Sequence, residues 1–178
     1  MRFALLIVDP ALVGVVLKGS DDRDSLLAQT PFDDGLFIGA QGADAHADAV
    51  VSLSRISNSD RPQWQGNGWR PRHPADHIEA WLLDSDNPGD HNDLAFALED
   101  AADAVALLRA ENKTVFLHCV HAHHRTPSVA LVYAVKYRGL SFEDADAQVR
   151  EALGRKHIDG LLWETAHAVA GQFDTTNH

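Results

Sequence analysis

The chain has 178 residues, of which 45% are apolar and 23% charged, and its net charge is −11 at pH 7. These values are typical of one globular domain and exclude intrinsically disordered and collagen-like chains. The single cysteine excludes an intrachain disulfide, and the acidic balance argues against a general nucleic-acid or anionic-membrane binder.

Two apolar runs at 2–8 and 11–17, separated by Asp9-Pro10, predict strands near the N-terminus. Each run is far shorter than the ~20 residues that a membrane helix needs, and no small-residue cleavage site follows Leu17. We therefore expect one cytoplasmic domain over 1–178, with no membrane or nucleic-acid partner.

Three further apolar runs, 36–40, 49–54 and 78–84, also read as strands, and Trp81 in the last one is expected in the core. An irregular loop over 56–75 separates the second of these runs from the third, and loops of this length are often functional. The slightly longer stretch 52–75 carries four arginines that could form a positive rim and two tryptophans that could stack on a substrate ring: Arg55, Arg61, Arg70, Arg72, Trp64 and Trp69.

The second half of the chain is mostly helical by its apolar periodicity. The pattern predicts helices over 93–110, 127–137, 141–154 and 158–173, with Ser141 capping the third. The short β-branched and aromatic run at 114–118 predicts a strand before the second helix. Strands mixed with helices indicate an α/β domain, with a strand–loop–helix unit near 114–138.

The only cysteine follows that strand, in the segment HCVHAHHRTPSVA at 118–130. A nucleophilic cysteine must be a thiolate, which an arginine, inward backbone N–H groups and a helix N-terminus all stabilise. Arg125 follows Cys119 after five residues and has the shape to hold two oxygens of a tetrahedral oxyanion. Thr126 is a natural N-cap, and Pro127 suits the first turn of the helix.

This segment resembles the C-x5-R-[ST] loop of the cysteine-dependent protein tyrosine phosphatases, including the histidine before the cysteine. The short length and the order of elements resemble the compact dual-specificity branch over about 35–173, whereas residues 1–30 have no counterpart. The resemblance implies a single-domain α/β fold of the tyrosine-phosphatase type. Its central mixed sheet would be flanked by helices, and its phosphate loop would join a strand to a buried helix.

The resemblance also implies hydrolysis of a phosphorylated protein or small phosphate ester through a phosphocysteine, without metal or cofactor. Cys119 would be the nucleophile, Thr126 would help the thiolate leave, and His118 would orient the loop. The phosphate would be held by the residues between Cys119 and the helix, namely Val120, His121, Ala122, His123, His124 and Arg125.

Such a reaction needs a general acid, which the resemblance places between the 78–84 strand and the next helix. Asp86, followed by Asn-Pro-Gly, lies on a turn that could swing over the phosphate and is the preferred candidate. Asp84 and Asp90 are alternatives, and Asp93 is better interpreted as the N-cap of the helix.

Two other interpretations remain open at the level of sequence. A rhodanese-like sulfurtransferase also has a cysteine loop, but it needs no acid. A catalytically weak phosphate-binding module is the second, because Ala122 stands where the resembled family commonly has glycine. A zinc site built from Cys119, His118 and the three loop histidines is disfavoured, because one short loop rarely supplies a tetrahedral set.

Overall fold

A five-stranded mixed sheet forms the centre of the computed structural model, which describes residues 26–41, 43, 45–54 and 76–175. Its strands are β1 (Leu27–Thr30), β2 (Asp33–Ala40), β3 (Ala49–Ser52), β4 (His77–Glu79) and β5 (Val115–Cys119). The predicted strands at 2–8 and 11–17 lie outside the described residues, as do the 56–75 loop and the four arginines and two tryptophans named above.

The strand order is β1-β2-β5-β3-β4, and β1 alone runs antiparallel to its neighbour. The other four strands are parallel, so their carboxyl ends meet at one edge of the sheet. Ligand sites of α/β proteins lie at this edge, and the Cys119 end of β5 is part of it.

Side chains alternate between the two faces of the sheet with the two-residue period of a strand. One face carries Ile38, Val51 and Leu117 and packs into the main helical core. The opposite face carries Val50 and Phe116 and is covered by the alanines of the 43–47 connection. The nucleophile candidate Cys119 lies on the helical face with that main core.

Four α-helices and one short 3₁₀ helix (Pro88–Asp90) complete the described part of the chain. The α-helices are α1 (Leu94–Ala110), α2 (Arg125–Arg138), α3 (Phe142–Ala152) and α4 (Leu161–Gly171). Helix α2 is buried at every residue from Arg125 to Val135, which explains why its sequence is apolar on nearly all sides. Asp93 caps α1 and Ser141 caps α3, as predicted. None of these helices is both long and apolar enough to cross a membrane.

Three features of the sheet differ from the sequence prediction. The 78–84 run is a strand only to Glu79, after which Ala80 and Leu82 still donate backbone hydrogen bonds to Ser52 and Leu53. Trp81 is 62% exposed rather than in the core, because the segment leaves the sheet here and turns Leu82 inward instead. Strand β1, which was not predicted, is a short edge strand with little apolar pattern of its own.

Candidate active site

The segment from Cys119 to Arg125 forms a tight loop between β5 and α2, as predicted. Cys119 is buried at the end of the strand, and Ala122 adopts a left-handed conformation with φ of 52°. Left-handed residues in tight loops build the concave backbone nests that bind anions. The N-cap of α2 is His124 rather than Thr126, and its side chain makes no capping hydrogen bond. Pro127 lies in the first turn, where its missing N–H costs nothing.

Arg125 is the buried cation of this loop, only 8% exposed. Its Nη1 donates to the Leu82 carbonyl oxygen at 3.3 Å, and its Nη2 lies 3.2 Å from Oδ2 of Asp84. Arg125 Nε and Thr126 Oγ1 are buried without a hydrogen-bond partner among the described residues. Orphaned buried donors are costly unless a ligand satisfies them, so both groups suit the oxygens or the sulfur of a bound intermediate.

Asp84 joins the segment after β4 to the cysteine loop. Besides Arg125, its carboxylate contacts Nδ1 of His124 at 2.9 Å. Its side chain is about one-third exposed, so the carboxylate is held in place and still open to solvent. A carboxyl group in this position can give a proton to a leaving group bound above the loop.

The other candidate carboxylates are engaged elsewhere. Asp86, the preferred general acid on sequence, accepts the backbone N–H of Leu161 at 2.9 Å at the start of α4. Asp90 accepts from Asn87 Nδ2 at 3.1 Å within its own loop, and Asp93 caps α1. Of the four, Asp84 is therefore the one that the structure brings to Arg125.

His118 precedes the nucleophile and faces the opposite side of the sheet. Burial lowers the pKa of His118 to about 3, although its interaction with the Cys119 backbone acts in the raising direction. Nε2 of His118 lies 2.8 Å from Oγ of Ser52, and the same Oγ lies 2.8 Å from Nε2 of His77. Neither Ser52 nor His77 was predicted from the sequence as part of the site. The signal for Ser52 was its place on β3, where it is the register partner of His118.

The rings of the three loop histidines lie next to one another. The ring centroids of His121 and His123 are 5.8 Å apart, and those of His123 and His124 are 6.1 Å apart. Within the described ranges, no group of three or more His, Cys, Asp or Glu side chains is arranged to hold a metal ion. The carbonyl of Val120 accepts a hydrogen bond from Gln41 N at 3.3 Å, which ties the loop to the end of β2.

Comparison with known proteins identifies the fold. No protein-family model and no curated protein matches this sequence. Among solved structures, human DUSP28 superposes with a TM-score of 0.61 at 19% identity, over 82% of this chain and 93% of that one. A mouse putative dual specificity phosphatase complexed with zinc tungstate gives 0.63 at 17% identity, over 89% and 94%.

PTPMT1, solved in complex with PI(5)P, is a further neighbour, with a TM-score of 0.56 at 14% identity over 83% of this chain and 97% of that one. These similarities span nearly the whole length of each neighbour. The chain thus has the α/β fold of the tyrosine and dual-specificity phosphatases, with a mixed sheet and flanking helices as predicted.

Proposed function

We propose that this chain is a cysteine-dependent phosphate monoester hydrolase that acts through a phosphocysteine. The observation that carries the proposal is the contact between Asp84 and Arg125, 3.2 Å apart, at a loop that begins with a buried cysteine. A phosphoryl cradle and a carboxylic acid from a separate segment are the two parts that this reaction requires.

In the first step, the Cys119 thiolate forms a bond to phosphorus while the bond from phosphorus to the leaving oxygen breaks. Arg125 and the loop N–H groups from Val120 to His124 hold the equatorial oxygens, and Asp84 gives its proton to the leaving oxygen. In the second step, water attacks phosphorus, Asp84 takes the proton of that water, and the thiolate leaves. Thr126 Oγ1, buried and otherwise unpartnered, donates to the departing sulfur.

We assign the general acid to Asp84 in place of Asp86. The Asp86 carboxylate already accepts the backbone N–H of Leu161 at the N-terminus of α4. The backbone of Gly160 lies close to the same carboxylate. The Asp84 carboxylate is held by two groups of the phosphate loop itself, His124 and Arg125. Asp84 and Asp86 are two residues apart, so sequence position alone does not separate them.

The substrate class is a phosphorylated protein or a small phosphate ester. The neighbour PTPMT1 binds the phosphoinositide PI(5)P, which makes a lipid headgroup one member of this class. A cytoplasmic location and the absence of nucleic-acid partners stay predictions from composition and charge. The sulfurtransferase alternative needs no general acid and leaves the Asp84 contact without a role.

The test is hydrolysis of p-nitrophenyl phosphate and phenyl phosphate by the wild type, Cys119→Ser, Asp84→Asn and Asp86→Asn. We expect Cys119→Ser to abolish turnover of both substrates. Asp84→Asn should lower kcat for phenyl phosphate by about 10²–10⁴-fold, the usual contribution of a general acid. The loss should be smaller for p-nitrophenyl phosphate, because its leaving group needs little protonation.

Asp86→Asn is the matched control, and it should keep kcat within about threefold of the wild type because its loss affects only a helix cap. A selective loss for phenyl phosphate in Asp86→Asn, with Asp84→Asn active, would return the acid to Asp86. A wild type that binds tungstate but turns over neither substrate would contradict the proposal and favour the phosphate-binding module. Sulfur transfer from thiosulfate to cyanide would favour the sulfurtransferase.

A further inference from the structure

The chain between Asp84 and helix α1 lies on the surface of the protein. Residues 86–90 are exposed, and the short 3₁₀ helix within them buries no residue. The two ends of the 85–91 segment, Ser85 and His91, are partly buried. The conformation of this segment therefore depends on its hydrogen bonds more than on packing.

The imidazole of His91 joins the two ends of the segment. Its Nε2 lies 2.9 Å from the carbonyl oxygen of Ser85, in a partly buried position. A carbonyl oxygen carries no hydrogen, so Nε2 must carry the hydrogen and donate it. Nε2–H is present in the charged ring and in one neutral tautomer, so this bond forms with either charge of the ring. Because Ser85 directly follows Asp84, the bond fixes the backbone next to the proposed general acid.

The other hydrogen bonds within the segment are more open to water. Ser85 Oγ donates to Asp90 at 2.5 Å and Asn87 Nδ2 donates to Asp90 at 3.1 Å, and both bonds are exposed. A hydrogen bond is stronger where the surroundings exclude water, so the bond of His91 contributes most to closing the segment. The Asp86 carboxylate links the segment to α4 through a separate hydrogen bond.

The backbone before Asp84 is held by the sheet and by the cysteine loop. The N–H of Leu82 donates to the Leu53 carbonyl oxygen at 3.3 Å, and the Leu82 carbonyl oxygen accepts from Arg125 Nη1 at 3.3 Å. The backbone after Asp84 is held by His91 through Ser85. Proton transfer requires hydrogen-bond distance, and a misplacement of about 1 Å is enough to slow it strongly.

We infer that His91 is a positioning residue that, by closing the 85–91 segment, holds the Asp84 carboxyl where the leaving oxygen of the substrate is protonated. It does not touch the reacting atoms. Without the Nε2–H donor, the segment opens more often and Asp84 spends less time in place. Cys119 and Arg125 belong to another segment and keep their positions. The inference rests on the proposed function in taking Asp84 as the acid.

The test compares kcat for phenyl phosphate and p-nitrophenyl phosphate in the wild type, His91→Leu, His91→Gln and Asn92→Ala. The readout is the ratio of the two kcat values, because only the phenyl ester depends strongly on a proton donor. His91→Leu removes the donor. His91→Gln restores it, because Nε2 of glutamine is as many bonds from the backbone as Nε2 of histidine. Asn92→Ala changes the exposed neighbour and is the matched control.

We expect His91→Leu to lower the ratio of phenyl phosphate to p-nitrophenyl phosphate turnover by about threefold to tenfold, the equivalent of one hydrogen bond. Its kcat for p-nitrophenyl phosphate should stay within about twofold of the wild type, since the phosphate cradle is unchanged. The ratio in His91→Gln and Asn92→Ala should stay within about twofold. Equal ratios in His91→Leu and His91→Gln, or an equal loss for both substrates in His91→Leu, would overturn the inference.

Cleavage of the native protein by an endoproteinase that cuts before aspartate gives a second measurement, which needs no turnover. This enzyme cuts at Asp86 and Asp90 when the segment opens, so its rate reports the open population. We expect His91→Leu to be cut about threefold to tenfold faster there, and His91→Gln and Asn92→Ala to stay within about twofold.

An unchanged cleavage rate in His91→Leu would overturn the inference whether or not the wild type is active. Faster cleavage with an unchanged turnover ratio would also overturn it, because His91 would then hold the segment without positioning the acid. A wild type that turns over neither substrate would defeat the proposed function, and the cleavage rates would still decide whether His91 holds the segment closed.

Discussion

Ala122 is a residue whose backbone conformation conflicts with its side chain. Its φ of 52° lies in the left-handed region, and it is fully buried in the cysteine loop. An L-residue with a Cβ loses roughly 1–2 kcal/mol in this conformation, which glycine adopts freely. The loop therefore carries local strain at the centre of the phosphate cradle, held in place by the strand and helix on either side.

The strain can be measured by comparing two alanine-to-glycine variants. Ala122→Gly and Ala130→Gly each remove a fully buried methyl group and loosen the unfolded chain, but only the first relieves a left-handed alanine. Ala130 lies inside α2, where glycine is unfavourable by about 1 kcal/mol. We expect Ala122→Gly to cost about 1–2 kcal/mol less than Ala130→Gly in urea unfolding. Equal costs would show that Ala122 is not strained.

The residues of the cysteine loop could be predicted from sequence because their chemistry depends on local spacing. Cys119 and Arg125 are six positions apart in the sequence, which is the interval of the C-x5-R motif that this segment resembles. Asp84 and Asp86 differ only in which element each one contacts. Asp86 contacts the start of α4, which is 75 residues further along the chain, whereas Asp84 contacts Arg125. Such long-range contacts cannot be predicted from the local sequence around the two aspartates.

At the scale of elements, Asp33 joins the start of β2 to the helices α1 and α2. Its buried carboxylate accepts hydrogen bonds from Arg109 Nη2 at 2.7 Å, Tyr133 OH at 2.6 Å and Gly35 N at 3.0 Å. Burial alone would raise the pKa of Asp33, but these donors outweigh it and leave the pKa below its ordinary value. The folded state therefore favours the charged carboxylate.

Asp33→Asn should destabilise the fold by about 3 kcal/mol at pH 7, because it leaves a partly buried guanidinium without its anion. The pKa of Asp33 is lower in the folded than in the unfolded chain. The stabilisation that the charged carboxylate provides is therefore complete above the ordinary pKa of about 3.9, and it is lost as the pH falls through the lower pKa of the folded state. The difference in unfolding free energy between wild type and Asp33→Asn should thus shrink as the pH falls below the ordinary pKa of Asp. Both proteins retain the buried His118, so its titration cancels.

Asp34→Asn is the control for this measurement. The Asp34 side chain is 98% exposed and lies 3.7 Å from Arg109, so its loss should change stability by less than about 0.5 kcal/mol. A large effect of Asp34→Asn, or a difference for Asp33→Asn that does not change with pH, would contradict the account of this network.

The elements that sequence predicted well are those with strong periodicity and clear ends. The apolar run of α2 and the capped starts at Asp93 and Ser141 are such cases. Strand β1 was missed because an edge strand is fixed by its pairing with β2, and its residues alternate only weakly. The segment around Trp81 was assigned to a strand because its residues are apolar, yet it leaves the sheet to place Leu82 O and Asp84 beside Arg125.

At the scale of the whole molecule, a net charge of −11 opposes the binding of any anion. At physiological ionic strength, charges beyond about 8 Å are largely screened, so the groups in the loop decide the outcome. Those groups are Arg125, the start of α2 and the backbone turned by Ala122. A site for phosphate in this acidic protein must therefore act at short range through directed donors.

Binding of tungstate, a tetrahedral oxyanion, tests this argument through global stability. A ligand at 100 times its Kd stabilises the folded state by about 2.7 kcal/mol, which for a chain of this length raises Tm by about 5–10 °C. We expect Arg125→Ala to abolish the shift, because it removes the buried guanidinium of the loop and leaves the Asp84 carboxylate next to the bound anion. Arg150→Ala, which breaks a 2.8 Å ion pair with Asp146 on α3, should lower the starting Tm yet keep the full shift. If instead Arg125→Ala kept the shift in scanning calorimetry, the anion would bind outside the cysteine loop, and the short-range cradle would be the wrong account of how this protein holds phosphate.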